Sequence, residues 1–251
     1  MSIVEKVNKT RYTLKEVLSN EWNTTIMPDL SNTEVEKMYT LPSSKNKQIA
    51  QFGVASACNF TLQHRMIPSY KIHVIYYNFP EIGKSSSKIT KSSCDKIDAL
   101  YTNELISPHD SIIMIINDYI SESLQTSFDS LNVKLQNDLE TIEFDENIIK
   151  EMQKNKFSLE KKHFRNVTIF NINHLTNNIM EHRLVPSQTV IRNKEDIKEI
   201  LEESNCSAKQ LPIILKHDIV SKYLRLSPGD ICKVIRKSVK TGEYNFYRIC
   251  H

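Results

Sequence analysis

The stretch that decides the fold of the C-terminal part is residues 210–250, QLPIILKHDIVSKYLRLSPGDICKVIRKSVKTGEYNFYRIC. Its segment Ser227-Pro-Gly-Asp230 places proline and glycine at the second and third positions of a type II turn. The runs Ile231 to Ser238 and Glu243 to Cys250 have the composition of strands, and Thr241-Gly242 lies between them. The stretch therefore predicts a tight turn followed by a β-hairpin.

Working outward toward the N-terminus, the same module contains several shorter elements. Leu184 to Val190 is a strand candidate, and Asn193 is placed to cap a helix with acids in its first turn. Ser207 is expected to cap a second helix that runs through Ile214, and Asp218 a third, short one. We therefore predict a small α+β domain.

The N-terminal part shows a different order of elements. Lys71 to Phe79 and the apolar run Ser111 to Asn117 are strand candidates, and the second has the pattern of a strand covered on both faces. A helical pattern begins between them at about Ser93, which predicts a βαβ unit with parallel strands. Asn166 to Asn171 is a third strand candidate. The fold class predicted for this part is α/β.

Helical patterns surround these strands. The predicted helices cover residues 3–20, a capping-box helix that starts at Ser31, residues 121–139 and a short helix from Asn173 to about Met180. Residues 140–165 are charged and weakly patterned, which is typical of a helix or of partial disorder. Polar loops are predicted after Leu41 and after Gly83. The domain boundary is placed at His182 to Pro186, giving domains 1–181 and 182–251.

Composition and charge set the broad class. The chain has 251 residues and 39% hydrophobic residues, without an apolar run that could span a membrane or a signal-peptide core, so an intracellular protein without membrane partners is expected. Its five cysteines are scattered, which favours reduced thiols. Residues 182–251 hold 13 Lys and Arg against 8 Asp and Glu, a net +5, and the first 181 residues hold 20 against 22, a net −2. A basic C-terminal module indicates an acidic partner, nucleic acid or simply a solvated face.

Catalytic motifs are absent from the sequence. The four glycines form neither a GxGxxG motif nor a P-loop, and no GxSxG motif occurs. None of the eight histidines belongs to an HExxH motif. A metal-dependent nuclease would need an acid after one strand and a later acid-x-Lys on a neighbouring strand. Glu81 follows the first strand, but the second strand ends at Asp118 without an acid-x-Lys. We expect no enzyme activity, no cofactor and no bound metal.

The positive signals belong to a surface. Basic and aromatic residues are interleaved in and near the hairpin, namely Arg225, Lys233, Arg236, Lys237, Lys240, Tyr244, Phe246, Tyr247 and Arg248. A nucleic-acid surface has this composition, and so does a docking surface for a larger protein, in which Arg and Tyr are enriched. Composition alone does not separate these two hypotheses.

The C-terminal residues resemble the assembly domain of the shared fifth subunit of eukaryotic RNA polymerases and of its archaeal counterpart. The similarity keeps the family's order and spacing over about 70 residues. The matching segments are His182-Arg-Leu-Val-Pro186, Gln210-Leu-Pro, Ile214-Leu-Lys216, Asp218-Ile-Val220, Gly229-Asp230, Val234-Ile-Arg-Lys-Ser238, Thr241-Gly-Glu-Tyr244 and Tyr247-Arg248.

The resemblance implies a role and a partner interface. The family's C-terminal domain docks on the largest polymerase subunit, and the eukaryotic form adds an N-terminal jaw of nuclease-like, inactive fold that flanks downstream DNA. Other polymerase subunits and the downstream duplex are therefore expected partners. The expected interface residues are Lys216, Asp218, Arg225, Gly229, Asp230, Arg236, Lys237, Tyr244, Tyr247 and Arg248.

The resemblance also implies a loop close to DNA, after the second jaw strand. Its residues here include Asp118, Tyr119, Ser121 and Ser123. The family's loop carries a Thr-Pro-Ser-type turn, whereas this loop has no proline, and Asp118 and Glu122 would repel phosphate.

Two features bear on the origin of the protein. Compared with the family's typical jaw domain, residues 135–165 are additional length. The Asn-, Ile- and Lys-rich composition suits a divergent eukaryote or a large DNA virus. The location would be the nucleus in a cell, or the virion or infected-cell cytoplasm for a virus. Two alternatives stay open: a free-standing nucleic-acid-binding protein that uses Arg236 and Lys237 of the basic hairpin, and a nuclease that uses Glu81 or Asp118.

Overall fold

Six consecutive buried residues, Ser111–Ile116, form the central strand β3 of the N-terminal sheet in the computed structural model. Strand β2 (Lys71–Tyr77) and strand β4 (Val167–Asn171) flank it in parallel. Strand β1 (Phe60–Gln63) pairs with β2 in the antiparallel sense, so the sheet order is β1-β2-β3-β4. The predicted parallel pair, covered on both faces, is confirmed.

The structure describes residues 1–41, 52–84, 88–238, 240 and 242–251. The loop predicted after Leu41 lies outside these residues, as do part of the loop after Gly83 and Thr241 of the hairpin turn.

The α-helices described in the N-terminal part are α1 (Ile3–Val17), α2 (Asn32–Thr40), α3 (Ser92–Thr102), α4 (Glu122–Thr141) and α5 (Glu146–Asn155). The predicted capping box at Ser31 is confirmed, because its hydroxyl accepts from the Glu34 N–H and the Glu34 carboxylate accepts from the Ser31 N–H. Helix α3 connects β2 to β3, as the βαβ prediction requires. Side chains of α3 and α4 pack with those of β2, β3 and β4 in one hydrophobic core.

One of the two interpretations of residues 140–165, a helix, agrees with α5. The helix predicted from Asn173 to Met180 is wrong, because two short 3-10 turns replace it. Asn171 and Asn178 explain this difference, since each side chain accepts from a backbone N–H two residues ahead. These local hydrogen bonds begin a new turn at each asparagine and so compete with a continuous helix.

The C-terminal part has its own sheet, which is antiparallel except at one edge. Strands β5 (Ser187–Ile191), β6 (Ile213–Ile214), β7 (Ile231–Ser238) and β8 (Gly242–Cys250) are arranged in the order β5-β7-β8-β6, with β6 parallel to β8. Helices α6 (Lys194–Glu203) and α7 (Ile219–Tyr223) start at the predicted caps Asn193 and Asp218. The β7–β8 hairpin is the predicted one.

The helix predicted from Ser207 through Ile214 is wrong. Ala208–Gln210 forms a 3-10 turn, after which Ile213–Ile214 pairs with β8 as strand β6. Pro212 accounts for the change, because proline disfavours a helical conformation at Leu211 and has no N–H to donate.

The chain divides into two compact units. The first comprises residues 1–157 and 164–177, and the second comprises residues 158–163 and 178–251. The division falls four residues before the predicted boundary, and the sequence showed no sign that residues 158–163 belong to the C-terminal unit. The mixed α and β architecture is as predicted. Among the described residues no helix combines the length and apolarity that a membrane span requires, and no cluster of His, Cys, Asp or Glu is suited to a metal ion.

Candidate docking surface of the C-terminal unit

The β7–β8 hairpin presents two faces, and the predicted interface residues are divided between them. Directly opposed residues of an antiparallel pair share a face, and successive residues alternate. Arg236 lies opposite Tyr244, and Cys232 opposite Arg248, on the face that also carries the small core; we call it the core-side face. Lys237 lies opposite Glu243, and Lys233 opposite Tyr247, on the face that we call the lysine face.

The core-side face carries an arginine–aromatic stack. The Arg236 guanidinium lies 4.3 Å from the ring centre of Phe246, and that of Arg248 lies 6.0 Å from it. Such contacts contribute about 0.5–1 kcal/mol each when partly exposed. No carboxylate of the described residues forms a salt bridge with either arginine, and the buried Nε of Arg248 has no hydrogen-bond partner. The stack therefore offers two guanidinium groups whose charge is not neutralised by a salt bridge within the described chain.

The lysine face is less basic than its sequence indicates. The Lys237 Nζ lies 3.4 Å from a carboxylate oxygen of Glu243, and both side chains are well exposed. An exposed pair of this kind contributes less than about 1 kcal/mol, but it lowers the local net charge. Arg236 and Lys237 therefore lie on different faces and do not form one continuous basic stripe.

Asp230 is the centre of a buried charge cluster, although it was expected at a partner interface. Its side chain is 3% exposed and accepts from His163 Nε2 at 2.9 Å and from the Ser227 N–H at 3.0 Å. Lys162 Nζ lies 3.0 Å from one carboxylate oxygen, and Arg192 Nε lies 3.8 Å from the other. The contacts of this enclosed carboxylate all lie within the second unit. Its contact with a partner stays a prediction.

The electrostatics of the cluster follow from burial and charge. Burial alone would raise the pKa of Asp230, but the His163 hydrogen bond and charge, the Ser227 N–H and Lys162 together lower it to about 2. Burial lowers the pKa of Arg192 to about 10, although Asp230 partly opposes this. Burial also acts to lower the pKa of Lys162, yet the adjacent Asp230 carboxylate reverses the shift and raises it. Asp230 is therefore ionised at neutral pH.

Gly229 has a conformational role in the turn before β7. Its φ is +86°, and the Asp230 N–H donates to the Ser227 carbonyl at 2.9 Å, as the predicted type II turn requires. A non-glycine residue would be strained at this φ. The geometry explains the glycine without any partner contact.

Three other residues expected at the interface also form hydrogen bonds within the second unit. Asp218 caps α7 by accepting from the Val220 N–H at 2.8 Å. The Lys216 N–H donates to the His251 carbonyl at 2.9 Å, and the Arg225 carbonyl accepts from Arg192 at 3.3 Å. Asp218 is exposed, and Lys216 and Arg225 are partly exposed. Their contact with a partner stays a prediction.

The loop expected to lie near DNA follows β3 in the first unit. Tyr119 is 79% exposed, and the Asp118 carbonyl accepts from Asn171 Nδ2 at 2.7 Å. The Ser121 hydroxyl caps α4 by accepting from the Leu124 N–H, and Ser123 is exposed in the first turn. Residues 118–123 contain two acids and no base, so the loop has no cation that would bind a phosphate.

The residues proposed for a nuclease do not form a metal site. Glu81 is exposed and pairs with Lys84 at 2.6 Å. Asp118 accepts from the Tyr119 N–H. Neither belongs to a group of acids that could hold a metal among the described residues. The nuclease alternative therefore has no structural support.

Three residues of the buried cluster were missed from the sequence: Lys162, His163 and Arg192. Lys162 and His163 lie in a charged, weakly patterned run, 65 or more residues from Asp230 along the chain. Only the chain path brings them to the carboxylate. The contact of these basic residues with Asp230 could not be predicted from a single sequence, because the two segments are so far apart along the chain.

Comparison with known proteins identifies the second unit. Residues 177–250 match the family model described as RNA polymerase Rpb5, C-terminal domain. The chain is 39% identical over 71 residues to DNA-directed RNA polymerase subunit Rpo5 of Archaeoglobus fulgidus, which covers 28% of this chain and 92% of that protein. It is 38% identical over 97 residues to DNA-directed RNA polymerases I, II, and III subunit rpabc1 of Dictyostelium discoideum, which covers 38% of this chain and 47% of that protein. The match thus spans about half the length of the eukaryotic relative.

These matches place the second unit in the class of RNA polymerase subunit domains. The chain belongs to the Rpb5/Rpo5 family, and the resemblance carried by residues 182–248 is confirmed. Both relatives are named as subunits of DNA-directed RNA polymerases.

Proposed function

We propose that the chain is a non-catalytic subunit of a multisubunit DNA-directed RNA polymerase, and that its second unit docks on the largest subunit. The observation that carries the proposal is the agreement between the matched residues 177–250 and the second unit, whose main segment is residues 178–251. The docking surface includes the core-side face, where Arg236, Phe246 and Arg248 are stacked. Desolvated Arg and aromatic groups are typical of the residues that dominate protein interfaces.

The first unit acts as a jaw beside the downstream DNA in this proposal. Its loop at residues 118–123 lies at the C-terminal end of β3 and carries only acidic charge. Such a loop would line the path of the duplex without holding its phosphates, because two carboxylates repel the backbone. The nucleus is the proposed location in a cellular host, and the virion or infected-cell cytoplasm in a viral one.

Affinity purification of the full-length chain tests the proposal. A tagged chain is expected to recover the two large catalytic subunits of the polymerase, as identified by mass spectrometry. The double variant Arg236→Glu with Arg248→Glu should reduce this recovery about tenfold or more, because it reverses both charges of the stack. A folded chain that is recovered from cells without polymerase would refute the proposal.

A matched variant controls for net charge. Lys9 and Lys154 are exposed lysines of the first unit. The double variant Lys9→Glu with Lys154→Glu changes the net charge by the same amount and should recover polymerase as well as the wild type. Equal losses in both double variants would attribute the effect to charge in general.

A free-standing nucleic-acid-binding function has weaker support. The two basic residues that it would use, Arg236 and Lys237, lie on opposite faces of the hairpin, and Lys237 pairs with Glu243.

A further inference from the structure

The outer edge of β8 is open along most of its length. The Cys250 N–H donates to the Asp230 carbonyl on the β7 side, and the Ile249 N–H donates to the Pro212 carbonyl on the β6 side, each at 2.9 Å. Successive backbone groups of a strand point in opposite directions. The N–H and C=O groups of Glu243, Asn245 and Tyr247 therefore point to the same edge as those of Ile249.

Strand β6 covers only the end of this edge, for a reason that lies in the sequence. It pairs through Ile213 and Ile214 with Ile249 and Cys250. The next donor along a parallel ladder would be residue 212, which is proline and has no N–H. No backbone group in the described ranges donates to or accepts from residues 243, 245 and 247 on this side.

Two of the usual protections against pairing are absent from this edge. Natural sheets protect open edges with prolines, bulges, charged side chains or a covering segment. The pairing of β7 with β8 is regular from Ile231–Ile249 to Ser238–Gly242, without a bulge, and residues 242–250 contain no proline. A regular edge without a bulge or a proline over three outward residues is suited to accept an added strand.

The side chains beside the edge indicate what kind of strand would fit. On the core-side face, an added strand would lie next to Tyr244, Phe246 and Arg248. Neither Arg248 nor its stacked neighbour Arg236 forms a salt bridge with the described chain. A carboxylate on the added strand would supply the missing counter-charge.

Two other occupants fit less well. A second copy would bring the same edge sequence, whose one acid, Glu243, is already paired with Lys237. A nucleic acid cannot continue the alternating donors and acceptors of a strand edge.

We propose that an extended segment of another polymerase subunit, carrying at least one Asp or Glu that reaches Arg248, adds to the sheet along residues 243–247 of β8. The inference rests on the proposed function, and it specifies how the docking surface binds. The added strand bonds to the backbone groups of Glu243, Asn245 and Tyr247. Its acid pairs with the arginine stack of the core-side face.

The test uses two variants at one position of the full-length tagged chain. Asn245→Pro removes an outward N–H and leaves the β7 pairing intact, since proline is tolerated at strand edges. Asn245→Ala removes only the side chain. We expect Asn245→Pro to lower the recovery of the polymerase large subunits about tenfold, with Asn245→Ala remaining within about twofold of wild type.

A second pair of variants tests the proposed contact between Arg248 and the acidic residue of the added strand. Arg248→Gln should lower recovery several-fold, and Lys240→Gln, at an exposed position beside the hairpin turn, should not. Circular dichroism and thermal melting of the purified variants show whether each one folds.

A measurement on the wild type keeps the inference testable if Asn245→Pro does not fold. Amide hydrogen exchange at Asn245 and Tyr247 should slow at least about tenfold in the assembled polymerase relative to the free chain, since the added strand bonds these amides. Unchanged exchange, or equal recovery of both Asn245 variants, would overturn the inference.

Other outcomes separate the alternatives. A wild-type chain that recovers no polymerase would refute the proposed function itself. A wild-type chain that sediments as a dimer, with Asn245→Pro monomeric, would show a second copy at the edge. Binding of a 20-base-pair duplex that Asn245→Pro abolishes would point to DNA, and either result would overturn the proposal of an acidic strand.

Discussion

At the scale of single residues, Asp230 shows how a carboxylate in a basic module becomes structural. It lies next to a turn glycine and before a strand, and from the sequence it was expected at an interface. In the fold, His163, Lys162 and the Ser227 N–H surround it. Breaking a buried pair of this kind from one side costs several kcal/mol, because the remaining charges lose their partner.

The lowered pKa of Asp230 predicts acid sensitivity of the second unit. A carboxyl whose folded pKa is about 2, against an ordinary 3.8, stabilises the fold above pH 4 and loses this contribution as the pH falls from about 4 to 2. The difference corresponds to about 2 kcal/mol. The free energy of unfolding, measured with denaturant as a function of pH, should show this loss, and Asp230→Asn should abolish that part of the pH dependence.

A neighbouring acid of the same unit provides the control. Asp196 is exposed in the first turn of α6. Asp196→Asn should cost less than about 1 kcal/mol at neutral pH. If Asp230→Asn behaved like Asp196→Asn, the buried cluster would have no electrostatic role in stability.

At the scale of elements, a buried amide joins α4 to the sheet. Asn132 is 4% exposed, its Nδ2 donates to the Val167 carbonyl at 2.9 Å, and its Oδ1 accepts from the Val167 N–H at 2.8 Å. The adjacent Val133 is apolar, but it is 61% exposed. The buried face of α4 is therefore formed by Leu124, Phe128, Leu131 and Leu135. Asn132 lies on the same side and bonds the backbone N–H and C=O of Val167 at the start of β4.

This arrangement predicts opposite effects at adjacent positions. Asn132→Ala should destabilise the protein by about 2–3 kcal/mol, because it leaves both backbone groups of Val167 without that partner in the interior. Val133→Ala should change stability by less than about 0.5 kcal/mol, because its side chain is exposed. Urea denaturation of the two variants makes the comparison, and a larger cost at Val133 would contradict the described helix phase.

At the scale of the whole molecule, charge is unevenly distributed between the parts of the chain. The net charge is +3, made up of +5 for residues 182–251 and −2 for residues 1–181. The basic charge of the hairpin is partly neutralised by Glu243, and its two arginines lie beside Phe246. A protein that contacts DNA only within an assembly needs no strong duplex affinity of its own.

The isolated chain is accordingly expected to bind duplex DNA weakly. Fluorescence anisotropy with a labelled 20-base-pair duplex should give a Kd weaker than about 10 μM at physiological salt, in the range of non-specific binding. Tighter binding that is lost in the variant Arg236→Glu with Lys237→Glu would restore the nucleic-acid alternative.

Much of this protein follows from the sequence by itself, because local physics decides it. The apolar run at 111–117, the caps at Ser31, Asn193 and Asp218, and the Pro-Gly turn before β7 each depend on residues a few positions apart. The family resemblance likewise depends on the order of residues along the chain. Around Pro212 the apolar spacing predicts a helix, but the local effect of proline prevails and the chain forms a 3-10 turn and a short strand.

Only the tertiary structure decided the character of the candidate site. Two partners of Asp230, Lys162 and His163, lie 65 or more residues away along the chain, and no local pattern in the sequence indicates these contacts. The division of Arg236 and Lys237 between two faces follows from strand alternation once the register of β7 and β8 is known. The open edge of β8 depends on where a two-residue strand ends, which is a property of pairing between distant segments. Charge composition suggests that this module binds an acidic partner, but only the arrangement of its strands shows which groups remain available to bind it.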